Sequence, residues 1–167
     1  MNTDFLKRFL WASILIILQV FLLNHIHMFG IATPLLYVYF ILLFPRNYPQ
    51  WSAMLWAFAI GLTLDAFNNT PGVTAASLTL TAALQPFAIR PFLSRESSET
   101  LIPGMRTLGV FNFIVYIFVL TTIHIFTFFS LEMFSFFNLI EWAECAGAST
   151  ALTILLILVI EQMRSRI

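Results

Sequence analysis

Charged residues are scarce in this sequence. Aspartate, glutamate, lysine and arginine make up 10% of the chain and apolar residues 60%, whereas a soluble domain carries about 25% charged residues. A soluble fold of 167 residues could not bury so much apolar side chain. The composition therefore predicts an integral membrane protein. Because the formal net charge is zero, no basic surface suited to nucleic acid is expected.

Cysteine and known catalytic motifs are scarce as well. The single Cys145 excludes an internal disulfide framework and a multi-cysteine metal site. The sequence contains no GxSxG, no HExxH and no glycine-rich phosphate loop. His25, His27 and His124 have no metal-binding spacing, and they fall near the predicted outer ends of membrane segments, where we expect them to act as polar caps. We therefore expect no catalytic activity, no metal and no cofactor.

What the sequence does contain is a series of apolar runs. A membrane-spanning helix needs roughly 20 mostly apolar residues, and six segments are candidates. They cover residues 9–27, 31–45, 51–67, 73–91, 108–129 and 140–160. The second is short and has Pro34 in its first turn, so it is interpreted either as a complete span or as a segment that dips into the membrane. The predicted fold is an all-α integral membrane protein, a single domain of residues 1–167 with six transmembrane helices.

The basic residues all fall on one side of this six-span arrangement. They lie before the first span, in alternate connections or after the last span, namely Lys7, Arg8, Arg46, Arg90, Arg95, Arg106, Arg164 and Arg166. The positive-inside rule makes that side cytoplasmic, so both termini are predicted to be cytoplasmic. The other side collects an outer acidic face, namely Asp65, Glu132, Glu141 and Glu144. Glu141 and Glu144 open span six, where negative charge favours a helix N-terminus.

Asp65 is the one charged residue between Arg46 and Arg90. Small residues precede it on one helical face, namely Ala53, Ala57 and Gly61. A similar set lies on span four, namely Ala75, Thr79 and Ala83. Because small residues let helices approach closely in lipid, the two sets predict a tight hairpin with Asp65 facing protein. Two roles for the carboxylate stay open: hydrogen bonding to its own turn, or direct contact with a partner or ligand.

The connection between spans three and four has the residues of a turn. Asn68 leads into Pro71 and Gly72, which respectively fix and free the backbone in turns. Thr74 then stands where an N-cap of span four is expected.

Span six carries another set of small residues at intervals of four. Ala143 and Gly147, followed by Ala151, predict close packing against a helix. The sequence leaves open whether that helix belongs to this chain or to a partner.

The layout resembles MreD, the family of rod shape-determining membrane proteins of bacteria. The resemblance rests on Gly61-x-x-x-Asp65, the following Pro71-Gly72 turn with its Ala/Ser/Leu-rich helix, and the Pro34 segment. It implies a non-enzymatic scaffold of the cell-wall elongation complex in the inner (cytoplasmic) membrane. The implied partners are an MreC-like protein, a RodA-like glycosyltransferase with its class B penicillin-binding transpeptidase and, indirectly, MreB.

The same family is similar in fold to the substrate-binding subunits of energy-coupling-factor vitamin transporters. That similarity supplies an alternative function, a small-molecule-binding subunit of a membrane transporter with its site open to the outside. Such a subunit would need an enclosed outer pocket lined by polar groups. The predicted outer loops are short and hold few polar residues besides the acids, which favours the scaffold.

Overall fold

The computed structural model describes residues 2–23, 33–93, 101–133 and 139–166, and it is all-helical, with no β-strand in these ranges. The helices, in chain order, are α1 (Asn2–Phe21), α2 (Val38–Leu42), α3 (Gln50–Asn68), α4 (Val73–Ile89), α5 (Met105–Leu108), α6 (Val110–Glu132) and α7 (Leu139–Arg166). A 3-10 turn over Arg90–Phe92 follows α4.

Helices α3, α4, α6 and α7 begin close to where the sequence predicts spans three to six. Helix α1 begins earlier than expected, and residues 24–27 of the predicted first span lie outside the described residues. Helix α6 continues through Glu132, so the predicted connection from Ser130 is helical at its start. Within the described ranges, two helical stretches, Val110–Glu132 and Trp142–Arg164, are long and apolar enough to cross a membrane, judged by length and composition alone.

Of the two interpretations of the segment at 31–45, a complete helix is not what the structure shows over the described residues 33–45. Its only helical part in the described range is α2, whose five residues span about 8 Å, far less than a bilayer core. Residues 33–35 are not helical, and Leu36 and Tyr37 form a turn. Residues 35–42 are nevertheless all buried, so this segment runs through the interior of the bundle.

Side chains of α1 and α7 replace the helical hydrogen bonds that this buried segment lacks. The Gln19 side chain donates to the carbonyl of Pro34 at 2.8 Å and accepts the Leu36 N–H at 3.1 Å. The Leu35 N–H donates to the Thr153 hydroxyl at 3.1 Å. Non-helical backbone is tolerated away from water only where protein groups satisfy it, and Pro34 itself has no N–H to satisfy.

The bundle has two chemically different ends. At one of them the Arg8 guanidinium lies over the Tyr48 ring, and the Arg46 N–H donates to the carbonyl of Leu101. Helix α7 reaches the same end, where Glu161 accepts the N–H of Met105. We call this the basic end, because it holds Lys7, Arg8, Arg46, Arg90, Arg106 and Arg164.

Candidate functional site

The candidate site starts at Gly61, where helices α3 and α4 approach most closely. A Cβ atom built on Gly61 would lie 2.4 Å from the Cα of Ala75 and 2.7 Å from its nitrogen, well inside van der Waals contact at about 3.5–4.0 Å. Only glycine fits at this position. Ala53 and Ala57 are buried on the same face of α3, and the Gln50 side chain donates to the carbonyl of Ala83 at the far end of the pair. The antiparallel hairpin expected from the small residues is therefore present.

Asp65 lies one turn beyond Gly61 and binds the beginning of α4. Its Oδ1 accepts the N–H of Thr74 at 2.9 Å and the hydroxyl of Thr70 at 3.0 Å. Its Oδ2 accepts the N–H of Ala75 at 2.9 Å. These two amides belong to the first turn of α4, which has no intrahelical acceptor for them. The carboxylate thus caps a neighbouring helix, and negative charge there is also favoured by the helix dipole.

The predicted N-cap at Thr74 is wrong. Helix α4 begins at Val73, and its N-cap residue is Gly72, which makes no side-chain cap hydrogen bond. Thr74 lies inside the first turn and is completely buried. Asp65 takes the capping role because the tight approach at Gly61 brings its carboxylate within reach of the α4 amides.

The turn residues make this approach possible. Asn68 is the last residue of α3, and Asn69 ends the helix with a φ of 59°. The N–H groups of Asn69 and Thr70 both point to the carbonyl of Asp65. Pro71 and Gly72 then turn the chain, and Gly72 has a φ of 83°, a left-handed conformation in which a side chain is strained. Because this turn brings α4 back against α3, both oxygens of the Asp65 carboxylate form hydrogen bonds within their own hairpin.

The other acidic residues of the predicted outer face lie on α6 and α7. Glu132 is exposed at the end of α6, and Glu144 is exposed in the first turns of α7. Glu141 belongs to α7, but its side chain lies outside the described part. No group of three or more His, Cys, Asp or Glu residues suited to a metal ion occurs among the residues described.

The small-residue face of α7 makes no close helix contact within the described part of this chain, so of the two alternatives only contact with a partner stays a prediction. Ala143, Gly147 and Ala151 are exposed, and a Cβ built on Gly147 would meet nothing within 4 Å. The face of α7 that is buried carries Ser149, Thr153, Ile157 and Glu161 instead. This face packs inward because its hydroxyl groups form hydrogen bonds with the buried segment around Pro34. A pattern of small residues gives no indication of these hydrogen bonds.

His124 does not lie at the edge of the bundle, as the sequence suggested. It is completely buried in α6, with Nδ1 3.1 Å from the Thr81 hydroxyl and Nε2 3.2 Å from the Tyr37 hydroxyl. The neutral ring has one donor and one acceptor nitrogen, so both hydroxyls are satisfied by it. This histidine connects α4, α6 and the segment before α2. His25 and His27 lie outside the described residues.

Glu161 is a functional candidate that the sequence reading missed. It is 3% exposed; its Oε2 accepts the Tyr39 hydroxyl at 2.6 Å and lies 3.1 Å from Nη1 of Arg164. Its Oε1 accepts the N–H of Met105 at 3.3 Å and lies close to Gly104, whose Cβ would approach it to 2.8 Å. A signal was available: a lone acid in an apolar run, three residues before an arginine, has the spacing of a helical ion pair.

A cavity of about 600 Å³ opens beside Glu161 at the basic end. Its walls come from α1, α2 and the residues just after it, residue 102 and the last turns of α7, and they are mostly apolar. Two arginines, Arg8 and Arg164, belong to its lining. Asp65 lies at the opposite end of α4 from this cavity. It is near the point where α3 ends and α4 begins, whereas the last turn of α4 lies at the basic end.

The described residues define a class: they form an all-helical bundle in which two helices are long and apolar enough to cross a membrane, judged by length and composition. The buried carboxylates of this bundle cap helices rather than face each other. Comparison of the chain with known protein families, curated proteins and solved structures finds no match.

Proposed function

We propose that this protein is a multi-pass scaffold subunit of the bacterial cell-wall elongation complex, of the MreD type, embedded in the inner membrane. The observation that carries the proposal is the hairpin of Gly61 and Asp65. The motif on which the resemblance to MreD rests forms one structural unit here. Gly61 has no side chain, so the α4 backbone can come close, and Asp65 caps the first turn of α4. A carboxylate held in this way organises helices and is not available to a substrate.

Membrane embedding is supported by the distribution of side chains. Large apolar residues cover the outer surface of the bundle, and Phe111 and Ile140 are each 77% exposed, Trp51 71% and Phe21 70%. The interior instead holds hydrogen-bonded polar residues such as Gln19 and His124. Proteins in water rarely expose large apolar patches, whereas lipid would cover these side chains.

The orientation in this proposal follows from the basic end. Lysine and arginine accumulate on the cytoplasmic side of membrane proteins, so the basic end is the cytoplasmic end and Asp65 lies near the outer surface. Six membrane segments with both termini in the cytoplasm then follow, with the segment at 33–45 crossing as a broken, buried element. A reporter fused after Asn69 should be accessible from outside; accessibility from the cytoplasm would contradict this arrangement.

The scaffold role requires surfaces that other helices can use. The exposed residues Ala143, Gly147 and Ala151 lie one turn apart along α7, a spacing that allows a second helix to approach closely. We propose this face as the contact for a membrane helix of an MreC-like or RodA-like partner, which would link the chain to the penicillin-binding transpeptidase and, indirectly, to MreB.

The alternative, a vitamin-binding transporter subunit, fits the structure less well. Such a subunit would hold its ligand near the outer end, next to Asp65. Both oxygens of the Asp65 carboxylate are used within the hairpin, so this carboxylate is not free to bind a ligand there.

The scaffold proposal is tested by co-purification from detergent-solubilised membranes. Gly147→Leu should reduce recovery of MreC-like or RodA-like protein, because the larger side chain blocks the α7 face without a contact inside the chain. Ala59→Leu, at an exposed small residue of α3, is the matched control and should leave recovery unchanged. If the wild-type protein brings down neither partner, the scaffold proposal fails; if both variants bind like wild type, the α7 contact fails.

A further inference from the structure

We propose that the cavity at the basic end binds one anionic phospholipid, with the phosphate at Arg8 and Arg164 and acyl chains along the apolar walls. This inference rests on the membrane embedding argued above, but not on the scaffold role or on any protein partner. The cavity volume of about 600 Å³ lies within the range of roughly 300–1,000 Å³ that is usual for ligand sites.

The apolar walls of the cavity, together with its two arginines, favour a ligand that has both an apolar and a charged part. Trp11, Phe40, Leu43 and Met163 are among the lining side chains, and they offer a ligand apolar contact but no charge. A small polar metabolite would lose its hydration against these walls without gaining hydrogen bonds there. Lipid chains already reside in such surroundings, so they enter at little cost.

The positive charge of the cavity is arranged for a phosphate. The Arg8 guanidinium lies 4.2 Å from the centroid of the Tyr48 ring and 5.3 Å from that of Phe44. These ring contacts position the guanidinium without using its five N–H donors in conventional hydrogen bonds. A guanidinium so held binds phosphate oxygens through two parallel N–H groups.

The second arginine comes from a different helix, α7, and is held by an ion pair. Arg164 pairs with Glu161 at 3.1 Å, and the same carboxylate oxygen accepts the Tyr39 hydroxyl at 2.6 Å. The Met105 amide also donates to Glu161, and because Arg164 offsets the charge of Glu161, the two arginines and this carboxylate leave one net positive charge at the cavity. Basic pockets between helices on the cytoplasmic side are typical sites for anionic lipid headgroups, and this charge arrangement excludes a cationic ligand.

The test is native mass spectrometry of delipidated protein in detergent, titrated with phosphatidylglycerol or phosphatidylcholine. We expect one phosphatidylglycerol to bind in preference to phosphatidylcholine. Arg8→Gln should weaken that binding by about tenfold, the loss expected for a charge-assisted hydrogen bond. Arg90→Gln is the matched control, because Arg90 also lies over a ring, that of Phe87 at 4.8 Å, but does not line the cavity. It should bind like wild type.

Two further measurements separate the cavity from its surroundings. Met163→Trp should reduce phosphatidylglycerol binding by filling the cavity mouth without changing charge, and inorganic phosphate should not displace the lipid. The proposal is overturned if the two lipids bind equally, if Arg8→Gln and Arg90→Gln have the same effect, if Met163→Trp binds normally, or if phosphate alone competes. Recovery of the protein in the aqueous phase without detergent would instead contradict the membrane embedding itself.

Discussion

Replacing Gly61 with alanine is the most direct perturbation of the hairpin. The added Cβ would lie 2.4 Å from the Cα of Ala75, 2.7 Å from its nitrogen and 3.0 Å from the carbonyl carbon of Thr74. All three atoms belong to the backbone, so no side-chain rotamer relieves the contact. Since carbon atoms pack at about 3.5–4.0 Å, α3 and α4 must separate locally by about 1 Å or more.

The same separation reaches the capping carboxylate. The Asp65 oxygens lie 2.9 Å from the nitrogens of Thr74 and Ala75, and a shift of about 1 Å takes both distances beyond hydrogen-bond range. Overpacking costs about 1–3 kcal/mol, and each hydrogen bond to a charged group contributes about 1.5–3 kcal/mol. With partial relaxation, we expect a loss of about 3–5 kcal/mol, or a fall in Tm of roughly 10 °C.

Thermal unfolding in one detergent measures this loss. Gly147→Ala is the matched control, because its Cβ would meet nothing within 4 Å, and alanine is favoured over glycine in a helix by about 1 kcal/mol. Its Tm should equal or slightly exceed that of wild type. Ala75→Gly should not rescue Gly61→Ala, since the obstructing atoms are backbone. Equal melting of Gly61→Ala and Gly147→Ala would refute the close approach.

The same unfolding measurement tests three buried polar contacts. Glu161→Gln should lower Tm, because a neutral amide weakens the contacts to the Arg164 side chain and the Met105 amide, whereas Glu144→Gln, at an exposed position, should not; equal effects would contradict the assigned role. Gln19→Leu should cost about 2–4 kcal/mol, because it leaves a buried N–H and a buried carbonyl unpaired, and an unchanged Tm would mean that water replaces the amide. A double-mutant cycle of His124→Phe and Tyr37→Phe should give a coupling of about 0.5–1.5 kcal/mol, and strict additivity would show that the two rings do not interact.

The hairpin was predictable from the sequence because its determinants are local. Ala53, Ala57 and Gly61 stand at helical spacing before a turn of strong sequence preference, and the residues they meet follow within the next helix. Close packing of neighbouring helices needs no information from distant parts of the chain. The sequence left open whether Asp65 bonds its own turn or a partner. The answer depends on how close α3 and α4 come to each other at Gly61. Only coordinates give that distance.

The broken segment after Pro34 could not be predicted in the same way. Its hydrogen bonds come from Gln19, which is 15 residues away from Pro34, and from Thr153, which is 118 residues away from Leu35. Periodicity describes one segment at a time, so an apolar run with few breaks is interpreted as a helix. Gln19, the one amide side chain in the apolar run of α1, was the available indication that a neighbouring backbone needs partners.

The two small-residue sets show what spacing alone determines. Ala57 is completely buried against α4, whereas Ala143 and Gly147 of the equivalent pattern in α7 are exposed. Spacing defines a helix face and leaves open what covers it. In α7 the opposite face is occupied by hydroxyl groups bonded to the broken segment, so the small residues are directed outward.

Two of the few acids in the chain act alike in opposite parts of the bundle. Asp65, at the end of α3, caps the first turn of α4, and Glu161, near the end of α7, accepts the first amide of α5. Each carboxylate accepts backbone N–H groups of a neighbouring segment, Glu161 also pairs with Arg164, and both are buried, so neither adds charge to the sides of the bundle. Those sides are left apolar, and a partner helix in the membrane could distinguish them only by shape. The exposed small residues of α7 are such a shape feature. A substitution at Gly147 therefore tests assembly more directly than the loss of either carboxylate, which would also destabilise the fold.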